Sequence, residues 1–267
     1  MTELGKRGIV INYEFIKHIR RKRLWVILGI ALVAELAVII LVPVLQDGYP
    51  NNVMVMAAML TVGPMLASIG AIFFAGDAIA GEFESRTGFM LFTNPIKKPT
   101  LWFGKYVASG IAVAMLVVFT YAIIAFTLLG IYGEVPGEIL DSFAQALMFS
   151  FSVLSVTFFF SAVSKGAMGA TVITLLFVFV LSGIIESVLA FTGNEYWYLI
   201  SAGGDSITMV YGNIEMFTGG FGGGANMQDI IESFKPLEIH MANIGMAIYL
   251  VVGLALSIWI AGRRQLA

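Results

Sequence analysis

The sequence predicts an all-helical integral membrane protein with six transmembrane helices, and its composition is the first observation that indicates this class. Of its 267 residues, 59% are apolar and only 12% are charged, whereas soluble domains have about 45–50% apolar and ~25% charged residues. The mean hydropathy is +0.92. A soluble core of this size does not accommodate such an excess of apolar residues. We therefore expect residues 1–267 to form a single transmembrane domain.

Charge and cysteine content exclude several classes of site. The chain has 15 basic and 17 acidic residues, with a net charge of −2, so it has no general positive field for nucleic acid, and we expect no nucleic-acid partner. It contains no cysteine. Disulfides, thiolate zinc sites and a cysteine nucleophile are therefore excluded.

The first predicted element is a helix at residues 8–23 that lies in the membrane interface. Ile9, Tyr13 and Ile16 fall on one helical face, and a basic cluster follows them, which is typical of interfacial helices. A plain basic flank to the first span is the alternative. The apolar run that follows has 22 residues, longer than the ~7–15 of a signal peptide. We therefore expect it to remain as an anchor.

The second observation is a set of six apolar runs, each long enough to cross the hydrocarbon, which takes about 20 helical residues. Helices are the expected form because they satisfy their own backbone hydrogen bonds without water. The predicted spans are residues 24–45, 53–75, 106–131, 142–163, 167–190 and 241–261.

The third observation is the distribution of basic residues, which remain on the cytoplasmic side during insertion. With a cytoplasmic N-terminus, fourteen of the fifteen lysines and arginines lie inside and only Lys235 lies outside. Ten acidic residues lie outside. This distribution predicts a multi-pass protein of the cell membrane with both termini in the cytoplasm.

Two connecting segments remain, a cytoplasmic loop at residues 76–105 and an extracytoplasmic loop at residues 191–240. The inner loop starts with an acidic stretch that favours a short helix and has a turn at Asn94-Pro95. The outer loop has five glycines between Gly219 and Gly224. No Gly-Lys-Ser/Thr tripeptide, which a phosphate-binding Walker loop requires, occurs in the chain, so we interpret the glycines as a linker.

The inner loop resembles that of the permease subunits of the second type of ATP-binding-cassette exporter. In that family the loop after the second span has an acidic Glu-x-Glu, Ser-Gly-Thr, a leucine-rich run, Pro-Ile/Val with a basic residue, and Gly-Lys. This chain has Glu82-Phe83-Glu84, Ser85-Arg86-Thr87, Phe89 to Phe92, Pro95-Ile96-Lys97 and Gly104-Lys105. It departs at Arg86, where glycine is usual, and at Gly88, where a large aliphatic residue is usual.

The resemblance implies a short cytoplasmic coupling helix that docks on a separate ATPase subunit. The implied coupling residues are Asp77, Glu82, Phe83, Glu84, Ser85, Arg86, Thr87 and Pro95. It further implies two copies of the ATPase, which would hold ATP and Mg²⁺, and a second permease subunit in a homodimer or heterodimer. The implied function is export by alternating access. Two alternatives stay open: a subunit that transmits motion to an extracytoplasmic protein without moving substrate, and a passive membrane scaffold or immunity protein.

Two acidic residues within the spans are candidates for a transport pathway or a subunit interface. Glu35 lies near the middle of the first span, and no lysine or arginine occurs within any predicted span to pair with it. An ionised carboxylate there costs about 2.5–3.5 kcal/mol on insertion scales. The alternative is a protonated carboxyl bonded to a neighbouring hydroxyl. Glu186 lies nearer the outer boundary.

Other chemistry has little support in the sequence. Met54, Met56 and Met59 open the second span, and thioethers bind copper(I), but packing is the simpler interpretation of methionines in an apolar chain. We expect no resident metal or other cofactor. The only histidines, His18 and His240, lie far apart, which excludes a His-Glu-x-x-His zinc helix. We therefore predict that this chain is not an enzyme.

Overall fold

The computed structural model describes residues 3–85, 98–212 and 237–264. Every regular element in these ranges is a helix, without a β-strand, which confirms the predicted fold class. In chain order the helices are α1 (Glu3–Arg20), α2 (Lys22–Leu45), α3 (Val53–Met59), α4 (Val62–Ala75), α5 (Ala80–Glu84), α6 (Lys98–Tyr132), α7 (Glu138–Val163), α8 (Ala167–Leu175), α9 (Ser182–Phe191), α10 (Ile200–Met209) and α11 (Ile239–Arg263). A π-helical segment, Leu176–Leu181, joins α8 to α9.

Six helical stretches in the described ranges are long and apolar enough to cross a membrane, which confirms the predicted number of spans. They are Lys22–Leu45, Val53–Glu84, Lys98–Tyr132, Glu138–Val163, Ala167–Ala190 and Ile239–Arg263. The third stretch begins at Lys98, inside the segment 76–105 that the sequence analysis assigned to a loop. Pro99 does not prevent this, because the first turn of a helix has no intrahelical use for the N–H that proline lacks.

The second and fourth stretches form the centre of the molecule, and the others surround them. Within the most apolar window of each, 67% of the residues are buried, compared with 17% in the first and fifth stretches and 22% in the sixth. Helix α7, in the fourth stretch, packs against α4, α6, α8, α10 and α11. The apolar outer faces of α2, α8, α9 and α11 therefore remain for lipid or another subunit.

Small polar residues on α7 allow this central position. Ser150, Ser152, Ser155 and Thr157 are fully buried, and the hydroxyls of the last three donate to carbonyls one turn earlier on the same helix, at 2.7–3.0 Å. The Ser152 hydroxyl also donates to the backbone oxygen of Met246 on α11, at 2.9 Å. Short hydroxyl side chains thus let α11 approach α7 closely.

The second stretch is interrupted between α3 and α4, at Leu60 and Thr61. There the backbone hydrogen bonds join residues three apart instead of four. Thr61 N–H donates to the Ala58 oxygen at 3.1 Å, and Gly63 N–H donates to the Leu60 oxygen at 3.3 Å. The Thr61 hydroxyl donates to the Ala58 oxygen and also bonds to the Thr208 hydroxyl of α10, at 2.9 Å. Side chains therefore satisfy polar groups at this break, which divides the helix into two rigid parts.

The predicted outer loop, residues 191–240, contains helix α10 within its described part. Ser182, the first residue after the π-helical segment, accepts the Ser201 N–H at 3.2 Å and donates to the Ser201 hydroxyl at 2.8 Å. Helix α10 also packs against α7 and α11. The described part of this loop is therefore folded onto the membrane helices. The five-glycine cluster lies outside the described residues.

Candidate functional site

One serine on α7 holds the turn from which the predicted coupling segment begins. The Ser161 hydroxyl accepts the N–H groups of Ile79 and Ala80, at 3.2 and 3.0 Å, and donates to the Gly76 oxygen at 2.8 Å. Ser161 is fully buried. Three backbone groups of the turn before α5 are thus bound to the core helix. The position of α5 therefore depends on α7.

A buried lysine lies beneath α5 between two carboxylates. Lys105 Nζ, on α6, donates to Glu82 Oε1 of α5 at 2.7 Å and lies 3.0 Å from Glu14 Oε1 of α1. The Lys105 side chain is only 2% exposed. Lys17 Nζ lies 3.3 Å from Glu14 and 3.7 Å from Glu82. We call these four residues the α5 ion-pair cluster; it joins α1, α5 and α6.

Asp77 makes a second connection, between the turn before α5 and the junction of α1 with α2. Its Oδ2 atom accepts hydrogen bonds from the guanidinium groups of Arg21 and Arg23; the Arg23 bond is 3.1 Å long. Arg21 lies between α1 and α2, and Arg23 lies in the first turn of α2. A single carboxylate thus fixes the base of α2 to the α5 turn.

Two further side chains of α5 reach the ends of other helices. Glu84 Oε2 accepts the Ala167 N–H at the start of α8, at 2.8 Å, where the helix dipole favours a negative charge. The Phe83 ring stacks on Trp102 of α6 and lies 4.4 Å from the Arg264 guanidinium. Arg264 itself donates to the backbone oxygens of Ala162 and Ser164. Helix α5 therefore contacts both the beginning of α8 and the end of α11.

A cleft of about 560 Å³ opens between α1 and α5. Its walls carry both signs of charge; they include Lys17, Arg21, Glu14 and Asp77. Glu84 and Ser85 are exposed near it, whereas Glu82 is buried. The end of α5 is therefore exposed at this surface, and the ion-pair cluster lies behind it.

His18 of α1 is buried next to the α5 ion-pair cluster, and its titration allows the packing of α1 to be tested by pH. Its Nε2 atom lies 3.1 Å from the Ser109 hydroxyl, and its ring packs against Phe74. Burial, partly opposed by the charges of Asp77 and Glu14, lowers the pKa of His18 from 6.5 to about 4. The unfolded chain therefore binds a proton at this residue before the folded chain does. The contribution of neutral His18 to the free energy of unfolding is therefore complete above pH 6.5 and is lost as the pH falls toward 4.

Between pH 6.5 and 5 we expect the midpoint of thermal unfolding in detergent to fall for the wild type relative to His18→Gln. The His18 contribution to the free energy of unfolding changes by at most about 1.4 kcal/mol per pH unit. In His18→Gln, which keeps a polar group near Ser109 without titrating, the slope should be smaller. Equal slopes in the two proteins would contradict the assignment of a neutral, buried His18.

The other predicted residues have different surroundings. The Ser85 hydroxyl donates to the Gly81 oxygen, while Arg86, Thr87 and Pro95 lie outside the described residues. Glu186, on α9, is half-buried beside Asp205 of α10, and burial together with the Glu186 charge raises the pKa of Asp205. Met56 is buried, and Met54 and Met59 are half-buried. Copper binding by these methionines stays a prediction.

Sequence reasoning missed the roles of Glu14 and Lys105. Lys105 was counted among the loop cations, and Glu14 was given no role, yet both are buried and face each other. One signal was present: Glu14 lies between apolar residues of an amphipathic helix. Its partner, however, comes from a distant part of the chain and is visible only in the fold.

Comparison with known proteins adds one match. A family model described as "ABC-2 family transporter protein" matches residues 10–181, which include the four residues of the α5 ion-pair cluster. A comparison with curated proteins finds no match.

Proposed function

We propose that this chain, which belongs to the ABC-2 family of transporter proteins, is an exporter subunit in which α5 transmits movement from an ATPase to the membrane helices. The family and the six candidate spans make it a multi-pass membrane permease subunit of an ABC transporter, with an ATPase as partner. We further propose two copies of the ATPase, which hold ATP and Mg²⁺, and a second permease subunit. This chain then needs no catalytic site of its own.

The observation that carries the proposal is the set of connections made by α5. Lys105 joins it to α1 and α6, Glu84 joins it to α8, and Phe83 reaches the residue that ends α11. A helix of five residues has little stability alone. With these contacts, however, a force applied at its exposed end reaches four helices that belong to different parts of the molecule.

We place the α5 end in the cytoplasm, with both chain termini on that side. The support is the charge distribution, since fourteen of the fifteen basic residues lie at this end of the predicted topology. On that side α5 faces an ATPase. Movement of the ATPases toward each other on binding ATP would then displace α5, and the helices attached to it would tilt to expose an outward-facing path. Alternation between the two arrangements constitutes the transport cycle.

Replacing Glu84 with lysine tests α5 as the coupling element. The new cation would face the positive N-terminal end of α8, so the exposed end of α5 should leave its position while the buried cluster remains. We expect ATPase stimulation by the permease to fall about tenfold, equivalent to ~1.4 kcal/mol of coupling. The measurement is ATP hydrolysis by the co-purified complex in liposomes. Glu82→Lys is less informative, because it would place a second cation against Lys105.

The matched control is Glu134→Lys, an equal charge change at an exposed residue between α6 and α7, at the opposite end of those helices from α5. It should leave ATPase stimulation and transport unchanged. Unchanged stimulation and transport in Glu84→Lys would refute the assignment of α5.

Two further measurements separate export from the alternatives. A passive scaffold would not co-purify with an ATPase. A subunit that only transmits motion would co-purify with one but would give no ATP-dependent substrate uptake in inside-out vesicles, whereas an exporter would give both results.

A further inference from the structure

Glu35 is sealed inside the protein against a glycine. It lies in the middle of α2 and is 0% exposed. Gly63, at the start of α4, packs directly on the carboxyl: a Cβ atom at this position would lie 1.9 Å from Glu35 Oε1. Among the residues that the structure describes, neither carboxyl oxygen has a hydrogen-bond partner. Gly63 therefore provides space for the carboxyl without providing a polar contact.

No cation in the described ranges neutralises this carboxyl. Helix α4 contains no titratable residue, and the titratable side chains of α6 have partners elsewhere. The partners are Glu14 and Glu82 for Lys105, Ser155 for Tyr106, Ser142 for Tyr121, the Pro50 oxygen for Tyr132 and the Arg264 oxygen for Lys98.

The charged residues of α1 lie at a different level of the molecule. His18 of α1 lies beside Ser109, whereas Ile27 of α2 already lies at the level of Gly70 and Leu116. Glu35 is two further turns along α2 from Ile27. The titratable side chains of α1 that the structure describes, namely Arg7, Tyr13, Glu14, Lys17, His18 and Arg20, are therefore separated from Glu35 by several turns of helix.

An ionised carboxylate without a partner is costly in such surroundings, so Glu35 is protonated in this conformation. The break between α3 and α4 lies beside Glu35, because it ends at Thr61, only two residues before Gly63. Because the helix is already interrupted at Leu60 and Thr61, α4 can tilt relative to α3 without loss of a continuous run of helical hydrogen bonds. Such a tilt would move Gly63 away from Glu35 and let water reach the carboxyl.

We propose that Glu35 is a proton-binding site that holds one proton while α4 is closed on α2 and releases it to water when the two helices separate at Gly63. The proton is the only species transferred: the O–H bond of the carboxyl breaks, water accepts the proton, and the carboxylate remains hydrated. High pH therefore favours the separated arrangement and low pH the closed one. The site is intrinsic to this chain and does not depend on coupling to an ATPase.

The test measures the separation of α2 and α4 in the full-length chain as a function of pH. Because the protein contains no cysteine, cysteines introduced at Leu36 on α2 and Leu66 on α4 are the only sites for spin labels. In liposomes, the distance distribution should shift from short to long as the pH rises. In Glu35→Gln, a neutral side chain of the same shape, it should remain short at every pH.

Glu134→Gln is the control, since it makes the same change at an exposed carboxyl outside α2 and α4 and should keep the wild-type response. A distance that does not change with pH in the wild type, or that changes equally in Glu35→Gln, would overturn the proposal. Infrared spectroscopy provides a second measurement: the C=O band of a protonated carboxyl should be present at neutral pH and lost in Glu35→Gln. Identical bands in both proteins would overturn it as well.

Discussion

Lys105→Met is expected to lower the free energy of unfolding by about 3–5 kcal/mol, the usual cost of removing one partner from a buried ion pair. Lys105 is almost fully buried and lies 3.0 Å from Glu14 and 2.7 Å from Glu82, closer to each than Lys17 does. Methionine fills a similar volume, so the loss should come from two carboxylates left without their main counter-charge. The measurement is the yield of monodisperse protein in detergent together with its thermal unfolding.

The matched control is Lys165→Met, which removes an exposed lysine in the turn before α8 and should change stability by less than about 0.5 kcal/mol. A triple variant, Lys105→Met with Glu14→Gln and Glu82→Gln, removes the buried cation together with both carboxylates and should recover most of the loss. If Lys105→Met were as stable as Lys165→Met, the cluster would not hold α1, α5 and α6 together.

Gly245→Ala should be the second most damaging of these changes. In α11 the backbone at Gly245 lies against the segment before α10, and a Cβ atom there would be 2.7 Å from the Trp197 backbone oxygen. A backbone carbonyl cannot rotate away as a side chain can, so α11 or the whole segment must shift. We expect a loss of about 1–3 kcal/mol, the range for overpacking, measured as a lower midpoint of thermal unfolding.

Gly262→Ala is the control on the same helix, because nothing lies within 4 Å of its Cβ position. Alanine is a better helix former than glycine by up to about 1 kcal/mol, so this variant should be as stable as the wild type or slightly more stable. Equal effects at Gly245 and Gly262 would contradict the close packing of α11 on the segment before α10.

The membrane helices could be predicted from the sequence because the bilayer leaves the chain few choices. Runs of apolar residues must satisfy their backbone groups internally, and the predicted spans correspond to the six helical stretches of the structure. The sequence also has no lysine or arginine within the predicted spans that could pair with Glu35. The hydroxyl that the alternative interpretation expected beside Glu35 is, however, not found among the described residues.

The candidate site was predictable only in outline. The acidic residues of the inner segment were recognised by their order, but Asp77 and Glu82 form ion pairs within the protein rather than an open acidic surface. Local sequence cannot reveal this, because the cations come from α1, α2 and α6. The break at Thr61 had a local signal in the nearby Gly63-Pro64 pair, which is typical of a helix start.

Helix α11 is a continuous helix about 37 Å long, since it has 25 residues with a rise of ~1.5 Å each. Just after its C-terminal end, Arg264 contacts the end of α7 and the ring of Phe83. Nearer its middle, the Tyr249 hydroxyl donates to the Tyr198 oxygen at 3.1 Å. If a helix of this length rotates by about 5° around one end, its other end moves by ~3 Å. A small rotation of α11 at its α5 end would thus displace its other end by more than a hydrogen bond can stretch. The hydrogen bonds at that end would therefore have to break and form with new partners.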